Sequence, residues 1–167
     1  MAVEQLPFIQ YLLKGNITQP DYVTYLAEMT AIYQRLETLA QQAGLFDGLE
    51  DLPRAQRMAQ DLEELAPGHV AEIMPSTQTY LQHLDSIAPS RQLFAHVYVR
   101  HMGDLYGGKL ISRMVPGTGL WYQFENRAEL AKKFNERITV DLADEALVAF
   151  DHYKNIFQDL WTKIHTE

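Results

Sequence analysis

Cysteine is absent from the 167 residues. Disulfides, thiolate metal ligands and cysteine nucleophiles are therefore excluded, and a reducing compartment, the cytoplasm, is the expected setting. Basic charge is scarce: 14 Lys and Arg stand against 22 Asp and Glu, a formal net charge of -8. A general binder of nucleic acid or of anionic membrane needs a positive field, so neither is expected as a partner. A local basic rim around an anionic ligand stays possible. No uninterrupted apolar run approaches the ~20 residues of a membrane span. Met1 to Glu4 lacks the basic-then-apolar order of a secretory signal, and the ending at Lys163, His165 and Glu167 carries no tail anchor. Low complexity and internal repeats are also missing, and strand-like alternation is weak throughout.

Hydrophobic residues make up 47%, enough for one real core, and residues 1–167 read as a single domain. Helix signals dominate. Val3, Leu6, Phe8, Tyr11 and Leu12 keep helical spacing over residues 3–14, and Gly15 stands where a helix would stop. Thr18 caps a second helix with Pro20 in its first turn. It runs to about Ala43, with the stripe Tyr22, Tyr25, Leu26, Met29, Ile32, Tyr33 and Leu36. Residues 45–50 read as a loop. Asp51 caps a helix from Pro53 that ends before Pro67-Gly68, and 69–74 adds a short helical piece. Ser76 caps a helix to about Ile87. Ser90 opens a long apolar helix that Pro116-Gly117 stops. Leu120–Phe124 is extended or turn-like, Asn126 caps a helix to about Thr139, and the last helix starts near Asp141 or Asp144.

The unusual segment runs from Ala95 to Lys109, where Gly103, Gly107 and Gly108 interrupt a helical pattern. Each glycine costs roughly 1 kcal/mol relative to alanine inside a helix. Gly103 and Gly107 are four apart and share a face. A face without side chains lets a flat ligand reach the backbone, and Asp104 beside it can anchor a water. Close packing of two helices explains the same spacing, and the residues alone leave both readings open.

The order Ala-His-x-Tyr-x-Arg-x-x-Gly-Asp-Leu-x-Gly-Gly, met at Ala95, His96, Tyr98, Arg100, Gly103, Asp104, Leu105, Gly107 and Gly108, resembles the distal-helix signature of biliverdin-producing heme oxygenases. The likeness extends outward. Phe8 to Gly15, Tyr22, Tyr25, Leu26, Tyr33 and Glu37 look like the family's first two helices, Leu120 to Asn126 like its connecting segment, and Ala149-Phe150 with Phe157 like its last helix. The resemblance implies an all-α, single-domain heme oxygenase-like helical bundle of about seven to eight helices. It implies heme as substrate and cofactor, opened with O2 to biliverdin, CO and iron, and an electron-donating reductase or ferredoxin-type protein as partner. Asp104, Gly103 and Arg100 would be catalytic. Heme would meet Gly103, Gly107, Gly108, Tyr98, Glu4, Phe150 and Phe157, with Lys132, Lys133 and Arg137 as candidates for its propionates. A solvated helix face explains those three charges equally simply.

The chain departs from the pattern in three places. The family's iron-holding histidine stands four residues before a glutamate. Glu4 matches that glutamate, so the histidine falls one position before Met1 and the iron ligand is unknown. A start downstream of the true one, another ligand, or loss of turnover would each account for this. Tyr106 occupies a position usually held by a small residue, where a phenol would narrow the pocket or add a donor. The stretch from Phe134 to Ala149 is shorter than usual. Among the histidines, His96 reads as structural and His101 as a possible partner of Asp104. His69 reads as a loop residue, and His83, His152 and His165 as helix-surface residues. Glu28, Glu37, Asp104 and His152 lack the Glu-x-x-His spacing of a helical di-iron site. Besides the oxygenase, the sequence admits a heme-binding or heme-buffering protein without turnover, and a scaffold that uses the fold for protein interaction.

Overall fold

The computed structural model describes residues 2–70 and 72–166. Among them there is no strand, and seven α-helices are joined by short turns: α1 (Pro7–Leu13), α2 (Gln19–Gln42), α3 (Ala55–Leu65), α4 (Pro75–Ile87), α5 (Leu93–Ile111), α6 (Arg127–Asn135) and α7 (Ala143–Thr166). Three 3-10 turns, Val3–Gln5, Leu120–Tyr122 and Val140–Leu142, complete the regular structure. No helix of the described residues is long and apolar enough to cross a membrane.

α2 is the spine, packing on α3, α4, α5 and α7. It begins as its sequence demands. The Thr18 hydroxyl accepts the Asp21 N–H at 3.3 Å, Pro20 lies in the first turn, and the whole expected aromatic and aliphatic stripe is buried. The expected first helix is split. Leu6 is extended (φ -64, ψ 140) because Pro7 follows it, so residues 3–5 form a separate 3-10 turn and α1 starts on the proline.

Other helix starts were misplaced by sequence reasoning because their caps come from distant carboxylates. Glu37 accepts the N–H groups of Arg54 at 2.7 Å and Ala55 at 2.8 Å, so α3 starts at Ala55 rather than Pro53, and exposed Asp51 does not cap it. Glu28 accepts from Met74 N–H at 3.0 Å and from the Thr77 hydroxyl at 2.7 Å, which starts α4 at Pro75 rather than Ser76. Asp61 accepts the N–H groups of Leu120 and Trp121, both at 2.9 Å. All three carboxylates are buried, and burial is tolerated because each has several donors. Glu28 and Glu37 thus work as caps. Residues 69–70 and 72–74 are not helical, against expectation, since Glu28 already holds this strap at Met74.

Ser90 lies in a turn before α5, its hydroxyl taking the Gln92 N–H at 3.0 Å. α5 ends five residues before Pro116, and turns through Arg113 and Met114 bring Val115 into the core. α6 stops at Asn135, not Thr139, because the Arg137 carbonyl is taken by Arg91 at 3.1 Å. The Arg54 guanidinium ties the opposite end together. It donates to the carbonyls of Asp51, Leu52 and Pro53 and lies 3.7 Å from the centre of the Phe124 ring.

Where α4, α5 and α7 meet, His96 is fully buried. Its Nε2 is 2.8 Å from Glu145 Oε1 and its Nδ1 is 2.6 Å from the Tyr80 hydroxyl. The ring is neutral: Nε2–H donates to the carboxylate and Nδ1 accepts from Tyr80. Burial pushes its pKa from 6.5 down to about 4. Between those values the unfolded chain holds a proton that the folded chain does not, so stability falls on acidification across that window, by about 3 kcal/mol. Glu145 adds a loss of the same sign at lower pH. Burial raises its carboxyl, but the hydrogen bonds from His83 and His96 outweigh that and hold it below its ordinary value. Urea unfolding at pH 7 and near pH 4.5 should therefore show a clearly lower midpoint in acid. Equal midpoints would mean that His96 is protonated in the fold.

Candidate functional site

One face of α5 opens onto a cavity of about 650 Å³. Val99, Arg100, Gly103, Asp104, Gly107 and Ile111 line it, at helical spacing. Across from them stand the N-terminal segment Ala2, Val3 and Glu4 and the α1 residues Ile9, Leu12 and Leu13. α7 supplies Leu147, Phe150 and Lys154, spaced i, i+3, i+7, while Tyr25 and Tyr122 close the inner end. The walls are mostly apolar, and polar groups enter at few points, as in a small-molecule site.

The three glycines have different surroundings. Among the described residues, a Cβ on Gly103 would meet nothing within 4 Å, and one on Gly107 would meet only Ile111 Cδ1 at 3.8 Å. Gly108 is not among the lining residues, and a Cβ on it would lie 3.1 Å from Tyr122 Cδ1 and 3.2 Å from Tyr122 Cβ. The packing reading of the glycines therefore applies to Gly108, and the open-face reading to Gly103. Gly108→Ala should cost up to about 2 kcal/mol net, overpacking against Tyr122 at about 1–3 kcal/mol set against a helix-propensity gain of about 1 kcal/mol. A drop in the urea midpoint at constant slope would show it, and an unchanged midpoint would mean that the Leu120–Tyr122 turn yields freely.

Asp104 is nearly fully buried, and the Tyr33 hydroxyl of α2 donates to its Oδ2 at 2.6 Å. One turn earlier, Arg100 donates to the Tyr25 hydroxyl at 3.1 Å, and its guanidinium carbon lies 5.1 Å from the centre of the Tyr153 ring. Its Nε is buried without a hydrogen-bond partner among the described residues. Burial, only partly offset by Arg100, holds the Tyr25 phenol above its ordinary pKa, and burial next to Asp104 holds Tyr33 well above. Both are neutral hydroxyls that can donate.

Arg127, the first residue of α6, donates to the carbonyls of Asp104, at 3.1 Å, and of Leu105 and Tyr122. It fixes the glycine-rich stretch from outside. A cation at a helix N-terminus is electrostatically misplaced unless it serves something else, and that was the available signal for it.

Of the residues expected at the site, Glu4, Arg100, Gly103, Asp104, Gly107 and Phe150 line the cavity. Gly108 does not, being packed on Tyr122. Tyr98 is half-buried outside the lining. Phe157 is buried one layer behind it, stacked on Phe8 with ring centres 6.1 Å apart. Lys132 and Lys133 are exposed on α6, away from the cavity. Arg137 reaches the Leu45 carbonyl instead, at 3.4 Å. Besides Arg100, the cation among the lining residues is Lys154, four residues after Phe150 on the same face of α7, and that spacing could have revealed it. Tyr106 is 61% exposed, outside the cavity, and accepts from Asn135 at 2.6 Å, so it does not narrow the pocket. His101 turns to Glu37 (2.7 Å) rather than to Asp104. The position ahead of Met1 lies outside the described residues.

Heme oxygenase 1 of Nostoc sp. is 26% identical, over 94% of this chain and 79% of its own length. Heme oxygenase 2 of Oryctolagus cuniculus is 26% identical over 94% of this chain, which spans 61% of that longer protein. Among solved structures, heme oxygenase-2 of Synechocystis sp. in complex with heme and NO superposes with a TM-score of 0.83 at 21% identity, covering 98% of this chain and 80% of that one. Heme oxygenase-1 of the same genus, in complex with heme, gives 0.79 at 20% identity, covering 98% and 89%. The structural matches share the fold, and the family model for heme oxygenase matches residues 1–159, so this chain belongs to the heme oxygenase family.

Proposed function

We propose that the chain, acting as one domain, is a heme oxygenase that opens heme to biliverdin, CO and iron with O2 and electrons from an external reductase or ferredoxin-type protein. The observation that carries this is the open Gly103 face: a slot of about 650 Å³ with apolar walls, a buried carboxylate at its inner side and a lysine among its lining residues. A flat, largely apolar dianion fits such a slot, and Arg100 adds a second cation to its lining. Bound heme supplies the iron at which O2 is reduced and the ring edge that is cut.

The chain's own residues position and exclude. Gly103 and Gly107 admit the ring plane to the backbone. Val99, Ile111, Leu147 and Phe150 keep bulk water out. Asp104, held by Tyr33, accepts from an ordered water and so fixes where that water's other proton points. Lys154 offers an ammonium to a heme carboxylate, worth most if the pair is partly shielded. A cysteine-free chain suits a reducing cytoplasm.

The test is an absorption spectrum of the chain with hemin as reductant is added in air. Loss of the heme bands with growth of a biliverdin band is expected. Stable heme bands would leave a heme-binding protein without turnover. The resemblance puts the iron-holding histidine four residues before Glu4, and none of the described lining residues is a histidine. A variant with one histidine added before Met1 should therefore tighten hemin binding and shift the main heme band. An identical spectrum and affinity would show that the iron is held from elsewhere.

A further inference from the structure

Three of the chain's six histidines gather at the α4–α5–α7 junction, apart from the cavity. His83 Nε2 lies 2.6 Å from Glu145 Oε1, and His96 Nε2 lies 2.8 Å from the same oxygen. These three donor atoms all fall within 4.8 Å of one another. His152 packs beside them, its ring 5.1 Å from that of His83 and 4.9 Å from that of Tyr80. The sequence had suggested that His83 and His152 were plain surface residues; the fold turns both inward to half-buried positions.

We propose that His83, His96 and Glu145 form a binding site for one divalent transition-metal ion, with zinc the ion whose ligand preferences they meet. Two imidazole nitrogens and one carboxylate oxygen are a three-ligand zinc set, leaving the fourth position to water. Both Nε2 atoms aim at one carboxylate oxygen, and one ion would replace the two protons now shared with it. Tetrahedral bonds of about 2.0–2.2 Å set donors about 3.3 Å apart, so the carboxylate oxygen must move several tenths of an ångström from each nitrogen while the two nitrogens, within 4.8 Å of each other, settle to the same spacing. Glu145, with 16% of its side chain exposed, has room to swing outward, as has His83 with 25%. The buried ligand is already oriented from behind. With a metal on Nε2, His96 Nδ1–H donates to the Tyr80 hydroxyl at 2.6 Å, the kind of outer contact that fixes the tautomer of a ligating histidine.

Each ligand comes from a different helix, so the ion pins α4, α5 and α7 together. His96 stands seven residues, about 10 Å along α5, from Gly103. The site is therefore separate from the cavity and is testable without heme.

The experiment uses the full heme-free chain, stripped of metal, titrated with Zn2+ by calorimetry and with Co2+ by visible absorption. One ion per chain is expected, with the strong visible bands of four-coordinate Co2+ displaced by Zn2+. With zinc about a hundredfold above its Kd, the melting midpoint should rise by about 5 °C or more. His83→Ala and Glu145→Gln, at partly exposed positions that spare the core, should each weaken binding at least about 30-fold and remove that rise. His69→Ala, at an exposed loop histidine, should change neither. Failure of the intact chain to bind one ion saturably would overturn the site without recourse to any variant. Binding that survives both substitutions unchanged would do the same, by placing the ion on surface histidines.

Discussion

Gly103→Leu should weaken hemin binding by about 100-fold or more, roughly 2.7 kcal/mol, while leaving the chain as stable as before or slightly more so. The two signs together make the result diagnostic. Leucine is a better helix former than glycine by about 0.5–1 kcal/mol, and the new Cβ meets nothing within 4 Å, so the fold has no reason to object. The rest of the side chain enters the cavity, where the ring plane would lie. Hemin titration followed by absorbance, beside urea unfolding of the same preparation, separates the effects. Unchanged affinity would mean that hemin sits elsewhere. A large loss of stability would mean that Gly103 is a packing glycine like Gly108, which in this fold has Tyr122 against it.

That contrast shows what the sequence could and could not reveal. The helical face carrying Gly103, Asp104 and Gly107 was legible, because a helix fixes which residues share a side. Which glycine opened onto the cavity and which met Tyr122 was not, since that depends on the path of the Leu120–Tyr122 turn. The core stripe of α2 was legible from period alone. The starts of α3 and α4 were not, because their caps, Glu37 and Glu28, are far away in sequence, and local rules look only a few residues ahead. Lys132 and Lys133 stand together on α6, exposed and outside the cavity lining, whereas Lys154 on α7 is among the lining residues. Charge clusters announce themselves in a sequence; a single lysine that shares a face with Leu147 and Phe150 does so only once α7 is known to flank the cavity. His83, His96 and Glu145 were invisible as a group, since each lies on a different helix.

Asp104 gives the sharpest separation of binding from chemistry. Asp104→Asn should keep hemin affinity near that of the parent chain and slow ring opening by roughly 10²-fold, the usual loss when a positioned proton-handling group is removed. Asp104→Ala should do the same to turnover but also cost about 1–3 kcal/mol of stability, because it leaves the Tyr33 hydroxyl buried without its acceptor. The asparagine carbonyl can still accept from Tyr33, yet the amide lacks the charge that holds an ordered water as strongly and can present a donor where the carboxylate only accepts. Stability and turnover thus move apart between the two variants, and only the turnover loss is shared. Biliverdin yield per hemin, read with urea midpoints for both proteins, decides it. Full turnover in Asp104→Asn would remove the carboxylate from the chemistry and leave it a tether for Tyr33. Loss of hemin binding in both would make it a binding residue, with Arg100 the next group to question, since it lines the same cavity one turn away.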